Sequence, residues 1–106
     1  MYARRVSLHL KPNSRAEFTQ KLETDVIPML RKQKGFLDEI TFVTATGKDA
    51  FGVSLWDNKE SAEAYSGASY ADVTRILSKF VEGTAQVETY EVSNSTFHKI
   101  GAAAAA

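Results

Sequence analysis

The sequence predicts an α+β fold with elements in the order β-α-β-β-α-β. Three observations carry this reading. At the start of the chain Val6, Leu8 and Leu10 alternate with Arg5, Ser7 and His9, the period of a half-buried strand. Two later segments place apolar residues at helical spacing. Between those segments lie two strand-like runs joined by the short turn Gly47-Lys48-Asp49, which makes them a hairpin.

The elements follow in order. The first strand covers Tyr2 to Leu10, and Lys11-Pro12-Asn13 breaks it. Ser14 followed by Glu17 has the form of a capping box, in which each side chain satisfies an orphan backbone N–H. Phe18, Leu22, Val26, Met29 and Leu30 then recur on one helical face. Pro28 lies inside this pattern, removes one intrahelical donor, and predicts a kink or an early end. Gly35 is placed to cap the segment. Phe36 to Thr46 reads as the second strand and Ala50 to Trp56 as the third. Asp57 or Asn58 starts a short helix through Tyr65, Ser66-Gly67 interrupts it, and Ser69 with Asp72 restarts it. Val73, Ile76, Leu77, Phe80 and Val81 then hold the helical pattern until Gly83. Thr84 to Val92 is the last strand. Two split β-α-β units of this kind form a ferredoxin-like antiparallel sheet with both helices on one face. Residues 1–94 make a single domain. Residues 95–106, which end in five alanines, form a tail with little to pack and are expected to be poorly ordered.

Composition narrows the function classes. The chain has 106 residues, enough for one domain. Thirteen basic residues balance thirteen acidic ones, so no charge excess points to nucleic acid or to an anionic membrane. There is no cysteine, which removes disulfides, thiolate nucleophiles and cysteine-held metal clusters and fits a cytoplasmic protein. The start "MYARRVSLHL" lacks the apolar run of a signal peptide, and no stretch is apolar enough to span a membrane. Asn94-Ser95-Thr96 matches a glycosylation sequon but has no secretion signal beside it. Two distant histidines supply no metal set, and neither a phosphate loop nor a nucleophile elbow is present. No metal and no cofactor is implied.

The sheet face away from the helices should alternate apolar with polar if it meets water. Here Phe51, Val53 and Leu55 share one side of the third strand, while Gly52, Ser54 and Trp56 share the other. Ile40 and Phe42 lie on one side of the second strand, Val43 and Ala45 on the other. Both faces carry apolar groups, so the uncovered one is expected to pack against a second copy in a two-fold homodimer.

The chain resembles the antibiotic-biosynthesis-monooxygenase-like domains of the dimeric α/β-barrel superfamily. The likeness spans Tyr2 to Val92. It is carried by Pro28, by Lys34-Gly35-Phe36 before the second strand, and by "LWDNKESAEAY" from Leu55 to Tyr65. The resemblance implies a dimeric α/β barrel with a small pocket between sheet and helices. It also implies a cofactor-free monooxygenase activity on quinols or other small aromatic molecules. Trp56 matches a tryptophan that ends the third strand in many members, and Tyr65 stands where many carry a histidine. The haem-degrading members use an asparagine and an iron-ligating histidine where this chain has Val6 and Arg75. Valine offers no hydrogen bond and a guanidinium has no free lone pair, which argues against haem degradation.

Four residues are candidates for the site. Trp56 is a candidate substrate-binding wall, with the small Gly52 and Ser54 leaving room on its face; a lone tryptophan at a strand end also serves as core or interface. Tyr65 and Tyr70 flank the helix break. Tyr65 is a candidate catalytic phenol and Tyr70 a candidate substrate contact, against the simpler reading of buried rings with surface hydroxyls. His9, on the first strand beside Ser7 and Arg5, is a candidate base, or else a polar group of the dimer interface. Two functions fit: a cofactor-independent monooxygenase for a small aromatic or quinol, or a non-catalytic dimeric domain that binds a small apolar molecule.

Overall fold

A computed structural model of the chain describes residues 1–100. Four strands form one antiparallel sheet: β1 (Tyr2–Leu10), β2 (Phe36–Val43), β3 (Asp49–Trp56) and β4 (Val81–Glu91). Their spatial order is β2-β3-β1-β4, so each helical crossover skips one strand. This is the ferredoxin-like α+β arrangement. The first crossover consists of α1 (Arg15–Lys21), a π-helical turn at Leu22–Val26, and α2 (Ile27–Arg31). The second consists of α3 (Lys59–Ala68), α4 (Tyr70–Leu77) and a 3-10 turn at Ser78–Phe80.

Strand register assigns the two faces. Tyr2, Arg4, Val6 and Leu8 of β1 pair with Trp56, Ser54, Gly52 and Ala50 of β3, and this set meets the helices. The core lies there, around fully buried Trp56 and Phe18, with Leu10, Val26, Leu30, Ala50, Ala62, Val73 and Leu77. Burying each large apolar side chain contributes about 1.5–3 kcal/mol. The alternate residues Arg5, Phe51, Val53 and Leu55 face away from the helices.

Several local expectations differ from the structure for identifiable reasons. Ser14 does not close a capping box; its hydroxyl turns back to the Pro12 carbonyl at 3.4 Å. Pro28 neither ends nor sharply breaks the helical path. It sits in the first turn of α2, directly after the π-turn. The wider π-turn leaves space for the proline ring and shifts the hydrogen-bond ladder past the missing N–H. β2 stops at Val43, because Thr44 caps the turn: its Oγ1 accepts the Asp49 N–H at 3.1 Å. Ser66-Gly67 does not interrupt α3; the break comes at Ser69. Asn58 is the cap at its start, with Oδ1 accepting the Ser61 N–H at 2.9 Å. Gly83 does not end a helix. It lies inside β4 at φ 69°, where the register against β1 slips between Ser7 and His9.

Gly35 has the expected positive φ, 79°, after α2. Its lack of a Cβ also matters, because a Cβ there would collide with Asp57 and Ser61 at the start of α3. In the tail, the Ser95 hydroxyl accepts the N–H groups of Phe97 and His98, each at 3.0 Å. His98 pairs with Asp38, and Phe97 lies beside Ile40, Phe42, Val53 and Leu55. Poor order was expected for the whole of 95–106; of that tail, residues 101–106 lie outside the described residues.

Candidate functional site

Two rows of side chains cross the helix-facing side of the sheet. Register places Arg4, Ser54 and Glu39 side by side on β1, β3 and β2. The next row holds Val6, Gly52 and Thr41. Above these rows the helices leave a cavity of about 70 Å³, lined by Arg4, Glu39, Thr41, Tyr65 and Tyr70 on its polar side and by Val26, Leu30 and Leu77 on its apolar side. A volume of this size holds roughly two water molecules.

Arg4 is 3% exposed. Its guanidinium lies 4.6 Å from the ring centroid of Tyr70 and 5.2 Å from that of Tyr65. Among the described residues no carboxylate oxygen comes within ion-pair distance of it. Two aromatic faces therefore lie against a buried cation that has no carboxylate beside it, and offset part of its burial cost. Guanidinium is the cation suited to that position, because it is planar and weakly hydrated.

Glu39 is half-buried, and Thr41 donates to both its carboxyl oxygens, at 2.6 Å to Oε2 and 3.0 Å to Oε1. Burial pushes the Glu39 pKa above the ordinary carboxylate value, and the Thr41 hydrogen bond opposes part of that rise. Gly52 makes the arrangement possible. A Cβ on it would lie 2.9 Å from Glu39 Oε2.

The aromatic residues form a stack behind the cavity. Phe36 meets Trp56 edge-on at 5.5 Å, Trp56 stacks on Tyr65 at 4.9 Å, and Tyr65 meets Tyr70 edge-on at 6.3 Å. Burial pushes the Tyr65 pKa up to about 12; the charge of Arg4 pulls against this, while Tyr70 and Glu39 add to it. Tyr70 is raised as well, by burial and against Arg4. Both phenols therefore stay protonated near neutral pH. They can donate hydrogen bonds but do not act as bases there.

The four residues singled out in the sequence separate into three groups. Tyr65 and Tyr70 line the cavity. Trp56 is close by but one layer back: it is fully buried, it supports Tyr65, and its indole N–H donates to Ser54 Oγ at 2.9 Å. His9 is on the other face of the sheet. Its side chain is 74% exposed and its Nδ1 lies 2.6 Å from Asp49 Oδ1, so Asp49 is the carboxylate that orients it. Arg4 and Glu39 were not singled out by the sequence reading. Continuing the β1 alternation from Val6 back to Arg4 puts a cation in an apolar row, which was a usable signal. No such signal marks Glu39. The register shifts between Phe36 and Asp38, and that bulge turns Glu39 toward the helices in place of Asp38. Among the described residues no group of three or more His, Cys, Asp or Glu could hold a metal ion, and no helix is long and apolar enough to cross a membrane.

No protein-family model matches the chain, and no curated protein matches it. Solved structures do. A monooxygenase from Streptomyces coelicolor, in complex with nanaomycin D, superposes with a TM-score of 0.76 at 14% identity, covering 92% of each chain. A protein of unknown function from Nitrosomonas europaea gives 0.74 at 15% identity, covering 95% of this chain and 94% of that one. A putative antibiotic biosynthesis monooxygenase from Bordetella bronchiseptica gives 0.73 at 12% identity, covering 86% of this chain and 95% of its own. Identities this low speak for architecture and not for chemistry. The chain has the ferredoxin-like α+β fold of the antibiotic-biosynthesis-monooxygenase structures.

Proposed function

We propose that this protein is a cofactor-independent monooxygenase-like protein that acts on a small aromatic, quinol-type substrate held between its sheet and helices. The observation that carries the reading is that Glu39 and Arg4 line one cavity together, from strands separated by β3. A carboxylate whose proton affinity is raised toward the working pH is a suitable general base. Glu39 takes the proton of a substrate hydroxyl. Arg4, assisted by the Tyr65 hydroxyl, stabilises the oxyanion that forms. The electron-rich anion gives an electron to dioxygen. One oxygen atom then enters the ring, and the other leaves as water with two hydrogens from the substrate. A hydroquinone and one dioxygen thus yield one hydroxyquinone and one water.

Trp56 acts here as support and not as wall, since it holds the Tyr65 ring from behind. His9 has no part in this step. The cavity of about 70 Å³ is smaller than the roughly 150 Å³ that accepts a benzene-sized guest. Tyr70 is the half-buried lining residue at the helix break, and it is the side chain that has to move for the ring to enter.

Oxygen uptake with a panel of hydroquinones and anthrones tests the reading. Uptake above buffer that Glu39→Gln abolishes is the expected result. The small, largely apolar cavity also favours a second reading, a non-catalytic small-ligand-binding domain. No uptake, together with saturable quenching of Trp56 fluorescence by the same compounds, decides for it.

The assembly proposed with either reading is a homodimer through the sheet face that the helices leave bare. Ile40 is 46% exposed, Phe42 47% and Tyr90 46%, and register puts all three on that face. The cysteine-free chain suits the reducing cytoplasm.

A further inference from the structure

We infer that the ligand of this cavity is a single aromatic ring bearing a carboxylate, and that Arg4 is the group that binds the carboxylate. The ring rests on the proposed function; the carboxylate rests on Arg4 alone. Arg4 is only 3% exposed, lines the cavity and has no carboxylate within ion-pair distance among the described residues, which places its guanidinium to receive an anion. Cation–π contacts with Tyr65 and Tyr70 offset part of the cost of burying the charge. The Tyr65 hydroxyl lies within hydrogen-bonding reach of the guanidinium, and no carboxylate among the described residues takes its N–H fork, which suits a bidentate partner.

The partner must be charged when it arrives. A phenol titrating near 10 binds as a neutral molecule and does not compensate the cation. A carboxylate does so at once and also matches the fork geometry. Glu39 cannot be that partner, since Thr41 holds it two strands away across Ser54. The two residues thus divide the work: Arg4 anchors a fixed negative charge, and Glu39 meets a hydroxyl elsewhere on the ring. Size favours one ring over a polycycle, because the cavity must already expand to take the smaller guest.

The test compares 2,5-dihydroxybenzoate with its uncharged methyl ester and with hydroquinone, by titration calorimetry on the full chain. The wild type should bind the acid at least tenfold more tightly than the ester. Arg4→Gln should lose that preference, and Arg4→Lys, which keeps the charge but not the fork, should keep part of it. If Arg4→Gln fails to fold, the acid-to-ester ratio of the wild type still decides. Equal affinity for acid and ester overturns the inference, as does no binding of the acid at millimolar concentration. Oxygen uptake separates the two proposals. Tight, Arg4-dependent binding of the acid without uptake removes the oxygenase and keeps the carboxylate site. Faster uptake with neutral hydroquinone than with the acid removes the carboxylate site and keeps the oxygenase.

Discussion

The guanidinium of Arg4 lies 4.6 Å from the ring centroid of Tyr70, and this contact joins β1 to the start of α4 at the lining of the cavity. It couples the helix break to the buried charge. Tyr70→Phe keeps the aromatic face and should leave stability within about 0.5 kcal/mol of wild type. Tyr70→Ala removes the face and should cost about 1–2 kcal/mol beyond the lost ring packing. Urea denaturation of both variants measures the difference. Equal stability of the two would mean that the ring does not hold Arg4.

Glu39 makes folding depend on pH in a direction opposite to that of an ion-paired carboxylate. Its pKa is higher folded than unfolded, so between the two values the folded chain binds more protons. Stability is therefore full below the unfolded value and falls as pH rises through the folded one. Glu39→Gln should raise the melting temperature at pH 8 relative to wild type and leave little difference at pH 4. Thermal denaturation at the two pH values measures this, and a Glu39→Gln gain that is the same at both would refute it. A gain confined to high pH that comes with lost oxygen uptake is the exchange of stability for function expected of a working group.

Tyr65 holds its phenolic proton well into alkaline pH. Burial lifts its pKa to about 12, from an ordinary value near 10. Stability contributed by the protonated phenol is fully present below the unfolded value and is lost as pH rises from about 10 to about 12. The phenolate absorbance near 295 nm should show a final step in that range, and Tyr65→Phe should remove that step and no other. A final step unchanged by the substitution would assign it elsewhere.

The sequence made most of the fold legible, because strand and helix periods depend on local alternation that survives folding. Val6, Leu8 and Leu10 point where their period says, and so do Val73 and Leu77. The same period extended one step places Arg4 in the core, against its charge. What local pattern cannot carry is a change of phase. The bulge between Phe36 and Asp38 reverses every side chain after it, so Glu39 and Thr41 face the helices by virtue of pairing with β3. Pro28 reads as a break only while the helix is taken as uniform, and the π-turn before it removes the conflict. His9 stands apart from the cavity for a simpler reason. It has the parity of the open face, where its partner is Asp49.

The bare sheet face provides a direct test of assembly. Phe42 stacks on Phe51 at 4.8 Å, and the guanidinium of Arg5 covers Phe51 at 4.5 Å, an apolar patch with few polar atoms. Phe42→Asp places a charge in that patch, and a buried, unpaired carboxylate is costly. Light scattering at micromolar concentration should give the mass of two chains for wild type and of one for the variant, with circular dichroism unchanged. A wild-type mass of one chain removes the dimer.

Gly52 separates the site from the fold more cleanly than any aromatic residue. It lies mid-strand on β3, and the atom a new Cβ would approach, at 2.9 Å, is the far end of the Glu39 side chain. The backbone has no reason to move, but the carboxyl does. Gly52→Ala should push Glu39 off Thr41 and lose a hydrogen bond worth about 1 kcal/mol. Alanine also stiffens the unfolded chain, which returns about 0.4–1 kcal/mol. The melting temperature should thus change little, while binding and oxygen uptake fall together by tenfold or more. Gly52→Ala with full uptake would show that the Glu39 carboxyl works from other positions, and the base would have to be sought elsewhere in the cavity.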